Sequence, residues 1–180
     1  MDRTFLSLSR QIGEALLGQH WQISTAESCT GGWLARCITD VPGSSEWFGS
    51  GYVTYSNEAK QKMLGVPAGY FTGAEAPGAV SAETVTAMAE GALKASGAQF
   101  AVATSGIAGP GGGSAAKPVG TVWVAWAWSL DGGRTVESFA QVQRFPGDRQ
   151  AVRKQTVGAA LEGMLRQIKA QLAGRSGQPQ

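Results

Sequence analysis

Histidine, cysteine and clustered charge are scarce in this sequence. His20 is the only histidine among 180 residues, and Cys29 and Cys37 are the only cysteines. One histidine cannot build a His-rich metal site, and these two thiols match neither a zinc-binding spacing nor a C-x-x-C redox motif. Acid–base chemistry near neutral pH must therefore use Lys, Tyr, Asp or Glu side chains with shifted pKa values.

Strong net charge and long apolar runs are also missing. The formal net charge is only +2, and no basic run exceeds two residues, so the sequence does not indicate a nucleic-acid partner. No apolar run is long enough to span a membrane, and the N-terminus lacks the apolar core of a signal peptide. We expect a cytoplasmic protein with reduced thiols, no membrane partner and no bound metal or cofactor.

Hydrophobic periodicity predicts an α/β fold. Strands alternate with helices in the first half, and this alternation implies parallel crossovers. The third and fourth strands are joined by a loop alone, which favours an antiparallel pair. We expect a three-layer α/β/α domain with a mixed five-stranded sheet and one strand antiparallel to the rest. This domain should span residues 1–173, with a disordered tail at 174–180.

Residues 25–60 concentrate the side chains that could carry chemistry. Ser28 follows the first predicted strand and precedes Gly31 and Gly32. This pattern suits a helix start that binds an anion, although it also suits an ordinary helix N-cap. Lys60 stands one turn into a helix, where partial burial would make it a neutral base; an exposed helix lysine is the alternative.

A glycine-rich loop at 106–120 is the second candidate region. It contains six glycines but matches neither the Walker A spacing nor G-x-G-x-x-G. Successive glycine amides can bind an anion, although a flexible connection has the same composition. The strand before this loop ends at Ser105, which should lie beside Ser28 at one edge of the sheet. Arg149, at the start of the last helix, could reach a phosphate.

Several motifs carry a family resemblance. T-A-E-S-C-T-G-G at 25–32, P-G-S-S at 42–45, Y-S-N-E-A-K at 55–60, S-G-I-A-G-P at 105–110 and G-D-R at 147–149 occur in this order. Together they resemble the CinA C-terminal domain family, whose stand-alone members are nicotinamide-nucleotide amidohydrolases. The resemblance implies deamidation of nicotinamide mononucleotide by a serine–lysine mechanism, without a cofactor. The partner would be a small-molecule pyridine nucleotide, and the protein a homo-oligomer.

The resemblance also implies a set of site residues. The catalytic positions map to Ser28, Ser45, Tyr55 and Lys60. Ser45 is the preferred nucleophile because it precedes the strand that leads to Tyr55 and Lys60, and Tyr55 could relay its proton. The expected substrate-binding residues are Thr30, Gly31, Ser105, Gly106, Gly109, Gly112, Gly113 and Arg149. Which serine attacks stays open, and the alternative function is a non-catalytic nucleotide-binding module.

Overall fold

Five strands and five helices make up the computed structural model, which describes residues 2–176. The strands are β1 Ile23–Glu27, β2 Phe48–Val53, β3 Phe100–Gly106, β4 Thr121–Trp128 and β5 Glu137–Arg144. The helices are α1 Arg3–Leu17, α2 Trp33–Thr39, α3 Asn57–Leu64, α4 Ala82–Ser96 and α5 Arg149–Ser176. Short 3₁₀ helices occupy Ser44–Glu46 and Ala68–Tyr70.

The sheet is mixed, with the strand order β2-β1-β3-β4-β5. The first three strands are parallel, β4 is antiparallel to β3, and β5 is antiparallel to β4. One strand therefore opposes the other four, and the α/β prediction is confirmed in this respect. The carboxyl ends of β1, β2 and β3 meet at one edge, where open α/β sheets bind their ligands.

Helices cover both faces of the sheet, as the three-layer prediction requires. On one face, α1, α2 and α5 pack their apolar sides against large residues of β3 and β4, including Phe100 and Trp126. On the other face, α4 and the end of α3 pack against small residues of the same strands, including Ala101, Ala103 and Ala125. The small side chains let α4 lie close to the sheet, since close packing leaves no room for larger ones.

The last helix extends beyond its predicted end. It runs to Ser176, so the disorder predicted from residue 174 does not begin there, and residues 177–180 of that predicted tail lie outside the described residues. Among residues 2–176, no helix is both long and apolar enough to cross a membrane.

Candidate active site

Ser28 and Lys60 meet at the carboxyl edge of the sheet. Ser28 directly follows β1 and is half-buried, whereas Lys60 lies in the first turn of α3. The Lys60 Nζ atom lies 3.1 Å from the Ser28 Oγ atom. Ser56 caps the start of α3 by accepting from the Ala59 amide, and this cap sets the direction in which Lys60 leaves the helix.

Lys60 is buried, and no carboxylate of residues 2–176 forms a salt bridge with it. Its side chain is only 1% exposed, and Nζ donates to the backbone oxygens of Thr54 at 2.7 Å and Tyr55 at 3.3 Å. Removal from water disfavours the charged ammonium and lowers the pKa of Lys60 to about 8. At pH 7 about a tenth of the molecules therefore carry a neutral amine at this position.

A hydrogen-bond network fixes the loop that carries Ser28. The Ser28 amide donates to the Thr104 oxygen at 3.0 Å, and the Thr30 and Thr104 hydroxyls lie 2.8 Å apart in the buried interior. The Gly31 amide donates back to the Ser28 oxygen. The amides of Cys29 and Thr30 donate to no protein oxygen within residues 2–176. Cys29 and Thr30 are 4% and 0% exposed, so these two donors are buried as well as unpaired in the described part of the chain, whereas the Gly31 amide is already used.

Glu27 occupies the amino end of α2. Its buried carboxylate accepts from the amides of Gly32 at 3.0 Å, Leu34 at 3.0 Å and Ala35 at 2.8 Å. Gly32 has a φ of 90°, which only glycine adopts readily, and this conformation turns its amide towards Glu27. The first turn of α2 already holds an anion, so a substrate phosphate must bind elsewhere.

Tyr55 and Arg149 contact each other at the opposite side of this edge. The Arg149 Nη2 atom donates to the Tyr55 hydroxyl at 2.9 Å, and its Nη1 atom donates to the Gly109 oxygen at 2.8 Å. Both side chains are accessible, and Tyr55 is 60% exposed. Only the backbone oxygen of Tyr55 reaches Lys60, so its hydroxyl is not placed between Lys60 and a serine as the predicted relay requires.

The glycine-rich loop is anchored at several points. Gly106 pairs with Val122 so closely that a Cβ atom would lie 2.9 Å from the Thr121 oxygen. Lys117 donates to the Pro77 oxygen at 2.7 Å, and Ser105 donates to the Ala79 oxygen at 2.6 Å. The Ser105 hydroxyl therefore holds the neighbouring loop, and its predicted contact with substrate finds no support in this arrangement.

The glycines of this loop that were predicted to bind substrate differ in exposure. Gly109 is buried against Val119, and its oxygen is taken by Arg149. Gly112 and Gly113 are exposed, so their backbone could meet a ligand.

The structure does not bring Ser45 to this group. Ser45 lies in the 3₁₀ helix before β2, whereas Tyr55 and Lys60 follow β2. A strand separates its two ends by its own length, and the six residues of β2 span about 20 Å. Ser45 therefore lies at the amino edge of the sheet, and Ser28 is the serine that reaches Lys60.

Neither a reactive thiol nor a metal cluster stands at this edge. Burial raises the pKa of the Cys29 thiol to about 12, so the residue beside Ser28 is a poor nucleophile. Among residues 2–176, no group of three or more His, Cys, Asp and Glu side chains is placed to hold a metal ion.

Three residues of this region escaped the sequence analysis. They are Glu27, Thr104 and Arg153. Glu27 was detectable as an acidic residue at the end of a strand directly before a helix. Arg153 was detectable because it follows Arg149 by four positions and so shares its helix face. Nothing in the local sequence distinguished Thr104, whose contact with Thr30 depends on the pairing of β1 with β3.

Two cavities lie away from Ser28 and Lys60. One of about 340 Å³ is lined by residues of α1, α2 and α5, including Trp33, Cys37 and Lys154. The other, of about 890 Å³, lies between α4 and the β4–β5 connection, and includes Tyr70, Glu90 and Lys94.

Comparison with known proteins finds close relatives of this chain. The family model described as the CinA C-terminal domain matches residues 6–168. A Pseudomonas putida protein named nicotinamide-nucleotide amidohydrolase PncC is 57% identical, and the alignment covers 88% of this chain and 94% of the relative. An Escherichia coli protein of the same name is 50% identical, over 93% of this chain and 96% of the relative.

A solved structure carries the same fold. The competence/damage inducible protein CihA from Agrobacterium tumefaciens superposes with a TM-score of 0.84 at 43% identity, over 92% of this chain and 96% of that one. The chain therefore belongs to the CinA C-terminal domain family.

Proposed function

We propose that this protein hydrolyses the carboxamide of nicotinamide mononucleotide to nicotinic acid mononucleotide and ammonia. The observation that carries the proposal is the contact between a half-buried serine and a buried lysine, Ser28 and Lys60. The names of the relatives supply the substrate class, since nicotinamide-nucleotide amidohydrolases act on this amide.

Ser28 is the proposed nucleophile and Lys60 the proposed general base. A neutral amine has two N–H bonds and one lone pair. The backbone oxygens of Thr54 and Tyr55 can accept hydrogen bonds from the two N–H groups. The lone pair can then accept a hydrogen bond from the Ser28 hydroxyl. This arrangement activates a serine without histidine.

The reaction then proceeds as two acyl transfers. Ser28 Oγ attacks the carboxamide carbon while its proton moves to Lys60 Nζ. The tetrahedral intermediate collapses when Lys60 returns a proton to the leaving nitrogen, the C–N bond breaks and ammonia departs. Water, deprotonated by Lys60, attacks the resulting ester; the bond to Ser28 Oγ breaks and the hydroxyl regains its proton.

The oxyanion would be held by backbone amides of the loop after Ser28. The Thr30 and Cys29 amides donate to no protein oxygen within residues 2–176, and they directly follow the proposed nucleophile, as oxyanion donors of acyl-transfer enzymes do. Gly31, which the sequence analysis placed with Thr30 among the substrate-binding residues, already donates its amide to the Ser28 oxygen. The oxyanion role is therefore proposed for the Cys29 and Thr30 amides.

Arg149 and the exposed glycines of the 106–114 loop would hold the phosphate. The guanidinium of Arg149 has no carboxylate partner within residues 2–176, and Glu27 already fills the nearest helix start. Gly112 and Gly113 offer accessible backbone in the same loop as Gly109, whose oxygen Arg149 binds. Cytoplasmic location and a homo-oligomeric state stay predictions of the sequence.

An ammonia-release assay tests the proposal. The purified protein should release ammonia and nicotinic acid mononucleotide in equal amounts from nicotinamide mononucleotide, and Lys60→Met should abolish both. Calorimetric binding of the nucleotide by wild-type protein without any ammonia release would contradict the proposal. It would instead favour the non-catalytic nucleotide-binding module.

A further inference from the structure

Arg153 reaches from α5 to the loop that follows Ser28. Its Nε atom donates to the Cys29 oxygen at 3.0 Å, and its Nη2 atom donates to the Thr30 oxygen at 2.8 Å. These two carbonyls belong to the first two peptide groups after Ser28–Cys29. The guanidinium thus holds the two carbonyl oxygens that follow the Ser28–Cys29 peptide.

Peptide geometry makes this contact directional. The bond between Cys29 and Thr30 is trans, so its N–H points away from its C=O. Because Arg153 binds the Cys29 oxygen, the Thr30 N–H is directed away from α5. The Thr30 side chain is fixed independently by the Thr104 hydroxyl. The peptide between Cys29 and Thr30 is therefore held at its oxygen and at the Thr30 side chain, and its N–H donates to no protein oxygen within the part of the chain that the structure describes.

The positive charge of Arg153 lies against the peptide between Cys29 and Thr30. Within residues 2–176, no carboxylate lies within salt-bridge distance of Arg153. The guanidinium stacks over the Trp33 ring at 5.6 Å from the centroid, which keeps its plane fixed. A cation that binds a peptide oxygen polarises the peptide, and the polarised N–H is a stronger donor.

We propose that Arg153 is a positioning residue that orients the Thr30 amide as an oxyanion donor. This inference rests on the proposed amidase reaction at Ser28. Arg153 does not touch the substrate; it acts through the peptide that joins Cys29 to Thr30. A lysine cannot replace it, since an ammonium lacks the planar fork that binds two neighbouring carbonyls.

Steady-state kinetics of Arg153→Lys and Arg153→Gln test the proposal. Loss of one oxyanion donor typically lowers kcat by about 100- to 1,000-fold, and a misoriented donor should cost on the order of 10- to 100-fold. We expect this fall in kcat with KM changed by less than about threefold, since oxyanion contacts form in the transition state. Lys154→Gln is the matched control, because its side chain points to Asp2 and should leave kcat unchanged.

Chemical rescue separates positioning from a general structural role. Guanidinium ion at millimolar concentration should restore part of the kcat of Arg153→Gly, whereas it should not restore Ser28→Ala. If Arg153→Gln fails to fold, Arg153→Lys replaces it, because lysine keeps the positive charge and most of the aliphatic chain. Its melting temperature is measured beside that of wild type to show that a fall in kcat does not come from unfolding.

The outcomes distinguish this inference from the proposed function. A wild-type protein that releases no ammonia would refute the proposed function itself. A wild-type protein that is active, with Arg153 variants that keep kcat per folded molecule or change only KM, would overturn the positioning role and leave the proposed function standing.

Discussion

The Nζ atom of Lys60 lies 3.1 Å from the Oγ atom of Ser28, although the two residues stand 32 positions apart in the sequence. The contact forms because β1 and β2 are parallel neighbours, so the segments that follow them emerge at the same edge of the sheet. The helix that carries Lys60 then starts directly over the loop that carries Ser28. The amine also donates to two backbone oxygens, and none of the carboxylates that the structure describes forms a salt bridge with it.

The first prediction concerns the pH dependence of catalysis. Because burial lowers the pKa of Lys60 to about 8, the neutral base accumulates as the pH rises through that value. We expect kcat/KM to increase about tenfold per pH unit below pH 8 and to level off above it. Rates of ammonia release between pH 6 and pH 9.5 check this, and a profile that is flat from pH 6 to pH 9 would contradict a lysine base.

The second prediction concerns the pH dependence of stability. Lys60 has a folded-state pKa of about 8 against the ordinary 10.5, so the unfolded chain binds more protons between these values. The free energy of unfolding should therefore rise with pH across this window, by up to about 3 kcal/mol from this residue alone. Below pH 8 both states are protonated and the contribution stays constant.

Urea denaturation at several pH values measures this effect. The rise between pH 8 and pH 10.5 should be present in wild-type protein and absent in Lys60→Met. Lys62→Met, a change at an exposed lysine of the same helix, should keep it. An equal rise in Lys60→Met and wild type would show that Lys60 is not the titrating group.

The third prediction concerns Glu27. Its carboxylate accepts from three backbone amides at the start of α2 and is fully buried. Glu27→Gln replaces one acceptor oxygen by a donor, which would face amide N–H groups. We expect a loss of about 2–4 kcal/mol in the free energy of unfolding. Glu162→Gln, at an exposed position of α5, should change it by less than about 0.5 kcal/mol. Similar losses in both variants would contradict the capping role.

Element order was readable from the sequence, whereas the catalytic contacts were not. The strand and helix periods and the loop between β3 and β4 were sufficient to predict a mixed sheet with one reversed strand. Lys60 is buried because the loop that carries Ser28 packs against it. The sequence pattern around Lys60 does not contain this long-range contact. Ser45 was preferred because it precedes the strand that leads to Tyr55 and Lys60, but that strand places Ser45 and Lys60 at opposite edges of the sheet.

The fourth prediction concerns Arg149. Its guanidinium contacts Tyr55 and Gly109 and has no carboxylate partner within residues 2–176, so it is free to bind a phosphate. Arg149→Gln should raise KM for nicotinamide mononucleotide by about 10- to 100-fold, because a charged hydrogen bond to the substrate is lost. The value of kcat should change little. A fall in kcat at constant KM would place Arg149 in the chemical step.

The central claim is that Ser28, activated by Lys60, attacks the carboxamide. The most direct test measures ammonia release from nicotinamide mononucleotide by Ser28→Ala, Ser45→Ala and wild type. The assay is run at about pH 8.5, roughly half a unit above the pKa of Lys60, where most of the lysine is neutral. The account predicts that Ser28→Ala is inactive while Ser45→Ala keeps most of the wild-type rate. An active Ser28→Ala together with an inactive Ser45→Ala would contradict it.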